Sequence, residues 1–245
     1  MNRILEVCLV ASTLVMGITA SAAAKSAASE NPPLAGSSAD GAQALTRGIR
    51  VQLATSRNAM PMPEADDRSA WIVTVTASGD TDFGIDPVSP AALADEMRTR
   101  PRNREQKLFI KADARAAYAD VEKVLRAGRN AQFDAPVLLT SQTVANDAGT
   151  VAPLGLEVLL TAPAGSHPTE VQVTHSAQRT PTLSINNRQI PWTNLRSMLT
   201  QLFQSHPEKI VLLKADGQLP FEDVVHVIDG CRSAGARIVL AVPEL

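Results

Sequence analysis

The chain has 245 residues, a formal net charge of −2 and 44% hydrophobic residues. This balance indicates one or more soluble apolar cores and excludes a disordered, highly charged chain. The sequence has no basic face, and aromatic residues make up only 3% of it. The composition therefore argues against nucleic-acid partners, which require basic surfaces and, for single strands, stacking aromatic rings.

Residues 1–24 predict export of the chain. After Arg3 and Glu6 an uncharged apolar run ends in alanine and serine before Lys25, which is typical of a cleaved secretory signal peptide. The alternative is an uncleaved membrane anchor, because the run just reaches the length that spans a bilayer. Residues 25–46 are rich in Ala, Ser, Gly and Pro, and we expect them to form a flexible tether.

Residues 47–142 are predicted to form a first domain. Its first candidate strand, GIRVQLA, ends at Ala54, and an alternating run from Trp71 predicts a half-buried antiparallel strand. A helix is expected to follow, because Ser89 is a good N-cap residue and Pro90 suits the first helical position.

The rest of this domain predicts a strand, a helix and a strand. Residues 107–110 and the run from Pro136 are short and apolar, as buried strands are. Between them the apolar residues follow helical spacing, which predicts an amphipathic helix with one buried face. That face comprises Tyr118, Val121, Val124, Leu125 and Gly128.

Residues 143–153 form a small, polar segment punctuated by Gly and Pro, which predicts a linker. A second domain, residues 154–245, is expected to follow. Its first candidate strand is GLEVLLT, residues 155–161, and alternating strands begin at Thr169 and Thr182. A helix opens at Pro191, with an apolar face of Leu195, Met198, Leu199, Leu202 and Phe203.

This second domain also ends with a strand, a helix and a strand. The strands are residues 209–213 and the run from Ile238. The helix between them places Phe221, Val224, Val225, Ile228 and Cys231 on one face. Cys231 is therefore predicted to be a buried core thiol, and since Cys8 lies in the predicted signal peptide, no internal disulfide can form.

The two domains carry the same short stretch. KADARAAYADV begins at Lys111 and KADGQLPFEDV begins at Lys214, each after a buried strand and at the start of an amphipathic helix. Similar flanks on both sides indicate an internal repeat. We therefore predict an α/β protein of two-layer α+β type, in which each of two tandem domains is a small mixed sheet with two helices packed on it.

Asp113 and Asp216 occupy the end of the strand in each repeat. A carboxylate at this position can accept hydrogen bonds from the N–H groups of the turn, so a structural role in the loop is favoured over chemistry. His167, His175, His206 and His226 show no metal-ligand spacing, and no nucleophile or phosphate-binding motif occurs. The sequence predicts no catalytic residue, no metal site and no cofactor.

The repeated stretches resemble the periplasmic domain of the ExbD/TolR family of biopolymer transport proteins. The matching residues are the Lys-Ala-Asp triplets with Tyr118 and Val121 in one copy and Phe221 and Val224 in the other. The resemblance covers most of residues 48–141 and 155–243. It implies a periplasmic location, free or anchored to the inner membrane. It also implies a non-enzymatic role in docking a partner protein or the cell wall within an energy-transducing envelope system.

The implied partners are an ExbB/TolQ-like inner-membrane channel protein, a TonB/TolA-like protein or peptidoglycan. Family members have one such domain behind a single transmembrane helix, and that helix carries an acidic residue for proton coupling. Here the apolar run contains no acid, and a neutral span cannot relay a proton through a carboxylate. The alternative is therefore a stand-alone periplasmic binding module. An envelope hydrolase whose site is assembled from distant residues is the third hypothesis.

The tandem copies have two further implications. Family members are expected to work as dimers of this domain, so two fused copies can form a pseudo-dimer within one chain. The strand-like segment with Ile49, Val51 and Leu53 lies between the tether and the Met-Pro-rich stretch from Met60 to Pro63. We predict that it acts as a switchable edge strand, which can pair with its own sheet, with the second domain or with a partner.

Overall fold

The computed structural model describes residues 49–103, 105–141, 152–176, 180–205 and 208–243. The predicted signal peptide and tether, and the predicted linker up to residue 151, lie outside these residues. Within them the chain forms a mixed α/β fold with two sheets and four α-helices. The predicted fold class is confirmed.

The N-terminal sheet has the strand order β1-β7-β6-β5-β2-β3-β4. Strands β2, β5 and β6 pair in parallel, and the other neighbours pair antiparallel. Its helices are α1 (Pro90–Thr99) and α2 (Tyr118–Asn130). Its strands are β1 (Met60–Pro61), β2 (Trp71–Val75), β3 (Thr81–Phe83), β4 (Asp86–Pro87), β5 (Leu108–Ala112), β6 (Val137–Thr140) and β7 (Leu154–Glu157).

The C-terminal sheet has the order β10-β9-β8-β11-β12. Strands β8, β11 and the edge strand β12 pair in parallel, and β8, β9 and β10 pair antiparallel. A 3₁₀ turn, Trp192–Asn194, leads into α3 (Leu195–Ser205), and α4 (Phe221–Ser233) follows β11. The strands are β8 (Thr169–Thr174), β9 (Thr182–Ile185), β10 (Arg188–Ile190), β11 (Ile210–Ala215) and β12 (Arg237–Leu240). The series from β8 to β12 repeats the order of elements from β2 to β6.

The helices form where the sequence predicts them. The Ser89 hydroxyl accepts a hydrogen bond from the Ala92 amide at 3.3 Å, so α1 begins with the expected N-cap. All five residues of the predicted apolar face are buried in α2 and likewise in α4. In α3 Leu195, Leu199 and Phe203 are buried, while Met198 and Leu202 are half-buried.

The main core is continuous between the two halves. One cluster of buried side chains contains Val121 and Leu125 of α2 together with Val224 and Ile228 of α4, and the two helices contact each other. The two predicted domains are thus packed as parts of one compact body. A protein core of this kind is formed by helices that bury one apolar stripe each against sheets and neighbouring helices.

A second, smaller core lies on the other face of the N-terminal sheet. Residues 62–70, which include a 3₁₀ turn at Pro63–Asp66, cover Ile72 of β2 and Phe109 of β5. Every residue of β2 is consequently buried. The prediction of a half-buried antiparallel strand from Trp71 is wrong in this respect, because a covering segment without regular alternation buries its second face and because β2 also pairs in parallel with β5.

Strand β7 differs from the prediction for residues 155–161. This stretch was expected to begin the second domain, yet Leu154–Glu157 pairs antiparallel with β6 of the N-terminal sheet. Leu159 then pairs in parallel with Val239 of β12. A continuous apolar run can form a strand in either sheet, so the hydrophobic pattern alone does not show to which sheet the strand belongs.

Candidate docking site formed by the paired loops and the leading segment

The two copies of the repeated stretch meet at the centre of the molecule. We call residues 114–119 and 217–222 the paired loops. The Tyr118 amide donates to the Leu219 carbonyl at 2.8 Å, and the Phe221 amide donates to the Ala116 carbonyl at 2.8 Å. Tyr118 and Phe221 hold the same place in the repeat, as do Ala116 and Leu219, so the two hydrogen bonds are reciprocal.

A second reciprocal pair flanks the first. The Ala119 amide donates to the Gly217 carbonyl, and the Glu222 amide donates to the Ala114 carbonyl, each at 2.9 Å. Ala117 and Pro220 form an antiparallel bridge between them. An exchange in which equivalent groups contact each other in both directions is the pattern of a two-fold symmetric interface.

The aspartates at the ends of β5 and β11 bind the turns that follow them. The Asp113 carboxylate accepts hydrogen bonds from the Arg115 amide at 3.0 Å and the Arg115 Nε at 2.9 Å. Asp216 accepts from the Gln218 amide at 2.9 Å and from the His175 amide at 3.3 Å. Both carboxylates are thus occupied by loop hydrogen bonds.

The environments of the two aspartates differ. Asp113 is only 3% exposed, and the hydrogen bond from Arg115 lowers its pKa to about 2, although burial acts in the opposite direction. Asp216 is half-buried. Charged hydrogen bonds to the ionised form stabilise it, so Asp113 stays a carboxylate over the whole physiological range.

Tyr118 and Phe221 fix the first turns of α2 and α4 in the core. Both side chains are at most 1% exposed. Burial raises the pKa of Tyr118 well above its usual range, with the nearby Glu122 carboxylate as a smaller cause. Its hydroxyl has no hydrogen-bond partner within the described residues. A buried phenol of this kind is suited to packing and not to proton transfer.

The segment with Ile49, Val51 and Leu53 lies beside Asp113. We call residues 49–58 the leading segment. The Gln52 amide donates to Asp113 Oδ2 at 3.0 Å, and the Ala114 amide donates to the Gln52 carbonyl at 2.7 Å. Ile49 is 36% exposed, while Val51 and Leu53 are half-buried. The strand predicted to end at Ala54 is reduced to isolated bridges, Leu53 with Asp113 and Thr55 with Ser141.

The far end of the leading segment is bound to α4 of the C-terminal half. The Asp229 carboxylate accepts hydrogen bonds from the Ser56 hydroxyl at 2.5 Å and from the Asn58 amide at 2.9 Å. The Arg57 amide donates to the same oxygen at 3.1 Å. The leading segment therefore links the Asp113 loop of one half to a helix of the other.

The described residues offer little for catalysis at this site. None of them forms a group of three His, Cys, Asp or Glu side chains that could hold a metal ion. Cys231 is buried, and burial raises the pKa of its thiol to about 12, which suppresses the nucleophilic thiolate. What the site presents is backbone and side-chain surface of a short, partly exposed segment.

Residues 152–244 match the family model described as Biopolymer transport protein ExbD/TolR. The C-terminal half is therefore similar to ExbD/TolR-type domains. The resemblance found in the repeated stretches is confirmed over this range, which contains Asp216 and Phe221, and no curated protein matches the chain in sequence. No helix of the described residues is long and apolar enough to cross a membrane.

The sequence located part of this site. Asp113, Tyr118, Asp216 and Phe221 all lie in or next to the paired loops, and the segment from Ile49 to Leu53 lies beside them. The contact of Ser56 and Asn58 with Asp229 was not predicted, because it joins residues that are far apart in sequence and that carry no periodic pattern.

Proposed function

We propose that the protein is a non-enzymatic periplasmic component related to the ExbD/TolR biopolymer transport proteins, which docks a partner protein or the cell wall in an energy-transducing envelope system. It consists of two tandem ExbD/TolR-like domains, residues 47–142 and 154–245, that form a pseudo-dimer in one chain. The reciprocal hydrogen bonds of the paired loops carry this proposal. The shared order of elements in the two sheets also supports it.

Docking is proposed to use the leading segment as an edge strand. Backbone groups of a short exposed segment can pair with an extended peptide of a partner. Residues 49–53 are bonded through Gln52 and Leu53, whereas the end of the segment from Ser56 to Asn58 is bound to Asp229. The partner is an ExbB/TolQ-like channel protein, a TonB/TolA-like protein or peptidoglycan, and residues 1–24 direct the chain to the periplasm as a cleaved signal or an inner-membrane anchor.

Photo-crosslinking in the native cell tests this function. A photoreactive amino acid at the exposed Gln52 position should capture an envelope protein or a peptidoglycan fragment. The same label at Arg237, exposed on β12, is the matched control and should not capture it. Capture of an inner-membrane channel protein supports the motor-linked role. Capture of another periplasmic ligand alone supports the stand-alone binding module, and equal capture at both positions contradicts docking by the leading segment.

A proline substitution tests the contact between the leading segment and the loop that contains Asp113. The Gln52 amide is a donor to Asp113, so Gln52→Pro removes that hydrogen bond. We expect a label placed at Ile49 to capture the partner more weakly in the Gln52→Pro variant. Arg57→Pro, which removes the hydrogen bond to Asp229 at the other end, is the companion variant. Unchanged capture in both variants would show that recognition runs through another surface.

A further inference from the structure

A cleft of about 490 Å³ is lined by the leading segment, by the start of α3 and by the C-terminal half of α4. This volume falls within the range that binds small organic molecules. Its wall combines the leading segment with residues from both helices and from the 3₁₀ turn before α3. The residues that matter for its chemistry are Arg57, Trp192, Arg196, His226 and Asp229.

The charges that line the cleft favour an anion. Arg57 and Arg196 are both exposed, and within the described residues neither guanidinium is paired with a carboxylate. Asp229 is the acidic residue of the wall, and its carboxylate already accepts hydrogen bonds from Ser56, Arg57 and Asn58. Two guanidinium groups therefore remain for a ligand, and such groups bind oxyanions in a bidentate manner.

The start of α3 adds to this preference. Arg196 is the second residue of that helix, and the first turn contains no acidic residue. A cation at a helix N-terminus opposes the helix dipole, which favours acidic residues there. An arginine at this position therefore destabilises the helix slightly, and an anion bound to the guanidinium would remove that destabilisation.

Trp192 provides a fixed apolar wall. Its indole is half-buried and held by a hydrogen bond from Nε1 to the Pro181 carbonyl at 2.8 Å. The centroids of the Trp192 and His226 rings are 5.8 Å apart, and the two ring planes are inclined at 56°. A pinned indole face next to cationic groups is a common way to hold the flat ring of a ligand.

The cleft is specific to the C-terminal half. In the repeat, the places of His226 and Asp229 on α4 are taken by Lys123 and Arg126 on α2, and Lys123 is paired with Asp120 at 2.7 Å. The helix α1 begins at Ser89 and Pro90 with no tryptophan before it. The arrangement is thus not a general consequence of the fold.

We propose that this cleft binds a small organic oxyanion, a carboxylate or phosphate attached to a flat ring, with the anionic group on Arg57 and Arg196 and the ring against Trp192. This site is separate from the paired loops and does not depend on the docking role proposed above. Since Arg57 belongs to the leading segment, the bound anion would also hold that segment against α3.

Isothermal titration of the full chain tests the site with three probes in a buffer free of carboxylate and phosphate. Phenylacetate and phenyl phosphate carry the two anionic groups, and 2-phenylethanol is the neutral analogue. At least one anion should bind with 1:1 stoichiometry and at least about tenfold more tightly than the alcohol, a difference of about 1.4 kcal/mol. Whichever anion binds more tightly identifies the preferred group. Equal affinity for the alcohol, or binding by none of the three, would overturn the proposal.

Variants at exposed positions locate the binding. Arg196→Gln and Arg57→Gln should each weaken the tighter anion about tenfold without changing the melting temperature. Arg237→Gln removes the same charge from β12, away from the cleft, and should leave affinity unchanged. If Arg237→Gln weakens binding as much as Arg196→Gln does, the anion responds only to the net charge of the protein and the site is refuted.

Discussion

The N-terminal sheet is covered on both faces, whereas the C-terminal sheet has its outer face partly open to solvent. Phe109 and Lys111 of β5 are 2% and 3% exposed. Leu212 and Lys214, which hold the same places in β11, are half-buried and exposed. At Phe109 the difference arises from residues 62–70, which cover this side chain and Ile72. Leu212 belongs to neither of the buried clusters among the described residues.

The two lysines show what burial does to a charge. Lys214 stays in solvent and pairs with Glu170 at 2.7 Å. Burial lowers the pKa of Lys111, and the nearby Arg50 adds to the effect. The same residue type in the same repeat position is therefore exposed in one half and buried with a lowered pKa in the other. Equivalent elements need not have equivalent faces.

The largest expected effect concerns the covered face. Phe109→Ala should lower the free energy of unfolding by about 3–5 kcal/mol, because it opens a cavity between β5 and residues 62–70. The equivalent change Leu212→Ala should cost only about 1 kcal/mol, since much of that side chain is already in water. Chemical denaturation of both variants measures the two values, and similar costs would contradict the difference between the faces.

A smaller effect is expected at the aspartates. Asp113→Asn should cost about 1–2 kcal/mol at pH 7, reduced by solvent screening of the exposed Arg115. The folded-state pKa of Asp113 is below its ordinary value, so this stability is present above about pH 4 and is lost as the pH falls towards 2. Denaturation at several pH values should thus show the wild type and Asp113→Asn converging in acid.

Asp216→Asn is the matched control for that experiment. Its carboxylate is half-buried and accepts hydrogen bonds from backbone amides without a bound guanidinium. We expect it to cost less than Asp113→Asn at pH 7. A larger cost at Asp216 would mean that the loop of the C-terminal half, and not that of the N-terminal half, depends more on its carboxylate.

The smallest change in stability is expected when the aromatic residue of one repeat is replaced by that of the other. Tyr118→Phe makes the first loop resemble the second and removes a buried hydroxyl that has no partner within the described residues. It should raise the free energy of unfolding by about 0.5–1 kcal/mol. The reverse change, Phe221→Tyr, should lower it by about 1–2 kcal/mol. Thermal unfolding can resolve both signs, and a loss of stability in Tyr118→Phe would reveal a partner for the hydroxyl.

Local patterns predicted most of the secondary structure. The spacing of apolar residues located five of the six buried residues in each of α2 and α4 and missed Ala127 and Val227, because an amphipathic helix buries one stripe whatever it packs against. The N-cap at Ser89 was predicted for the same local reason. These features depend on neighbours within a few residues.

The errors concern contacts between distant segments. Leu154–Glu157 pairs with the N-terminal sheet and not with the C-terminal sheet as predicted. The hydrophobic pattern predicts that a strand forms but does not identify the strand with which it pairs. The covering of Phe109 by residues 62–70, the bonding of Ser56 to Asp229 and the cleft beside Trp192 all depend on tertiary placement. No local period in the sequence reports such placement.

The central claim is that the two halves pair through the reciprocal paired loops within one chain. Ala117 and Pro220 oppose each other at the centre of these loops, a separation that suits a disulfide. The double variant Ala117→Cys/Pro220→Cys, purified and then oxidised, should contain an intramolecular disulfide and run as a compact monomer on a non-reducing gel, while each single variant stays unlinked. Disulfide-linked dimers, or free thiols at both positions 117 and 220 in the folded double variant, would contradict the pairing within one chain.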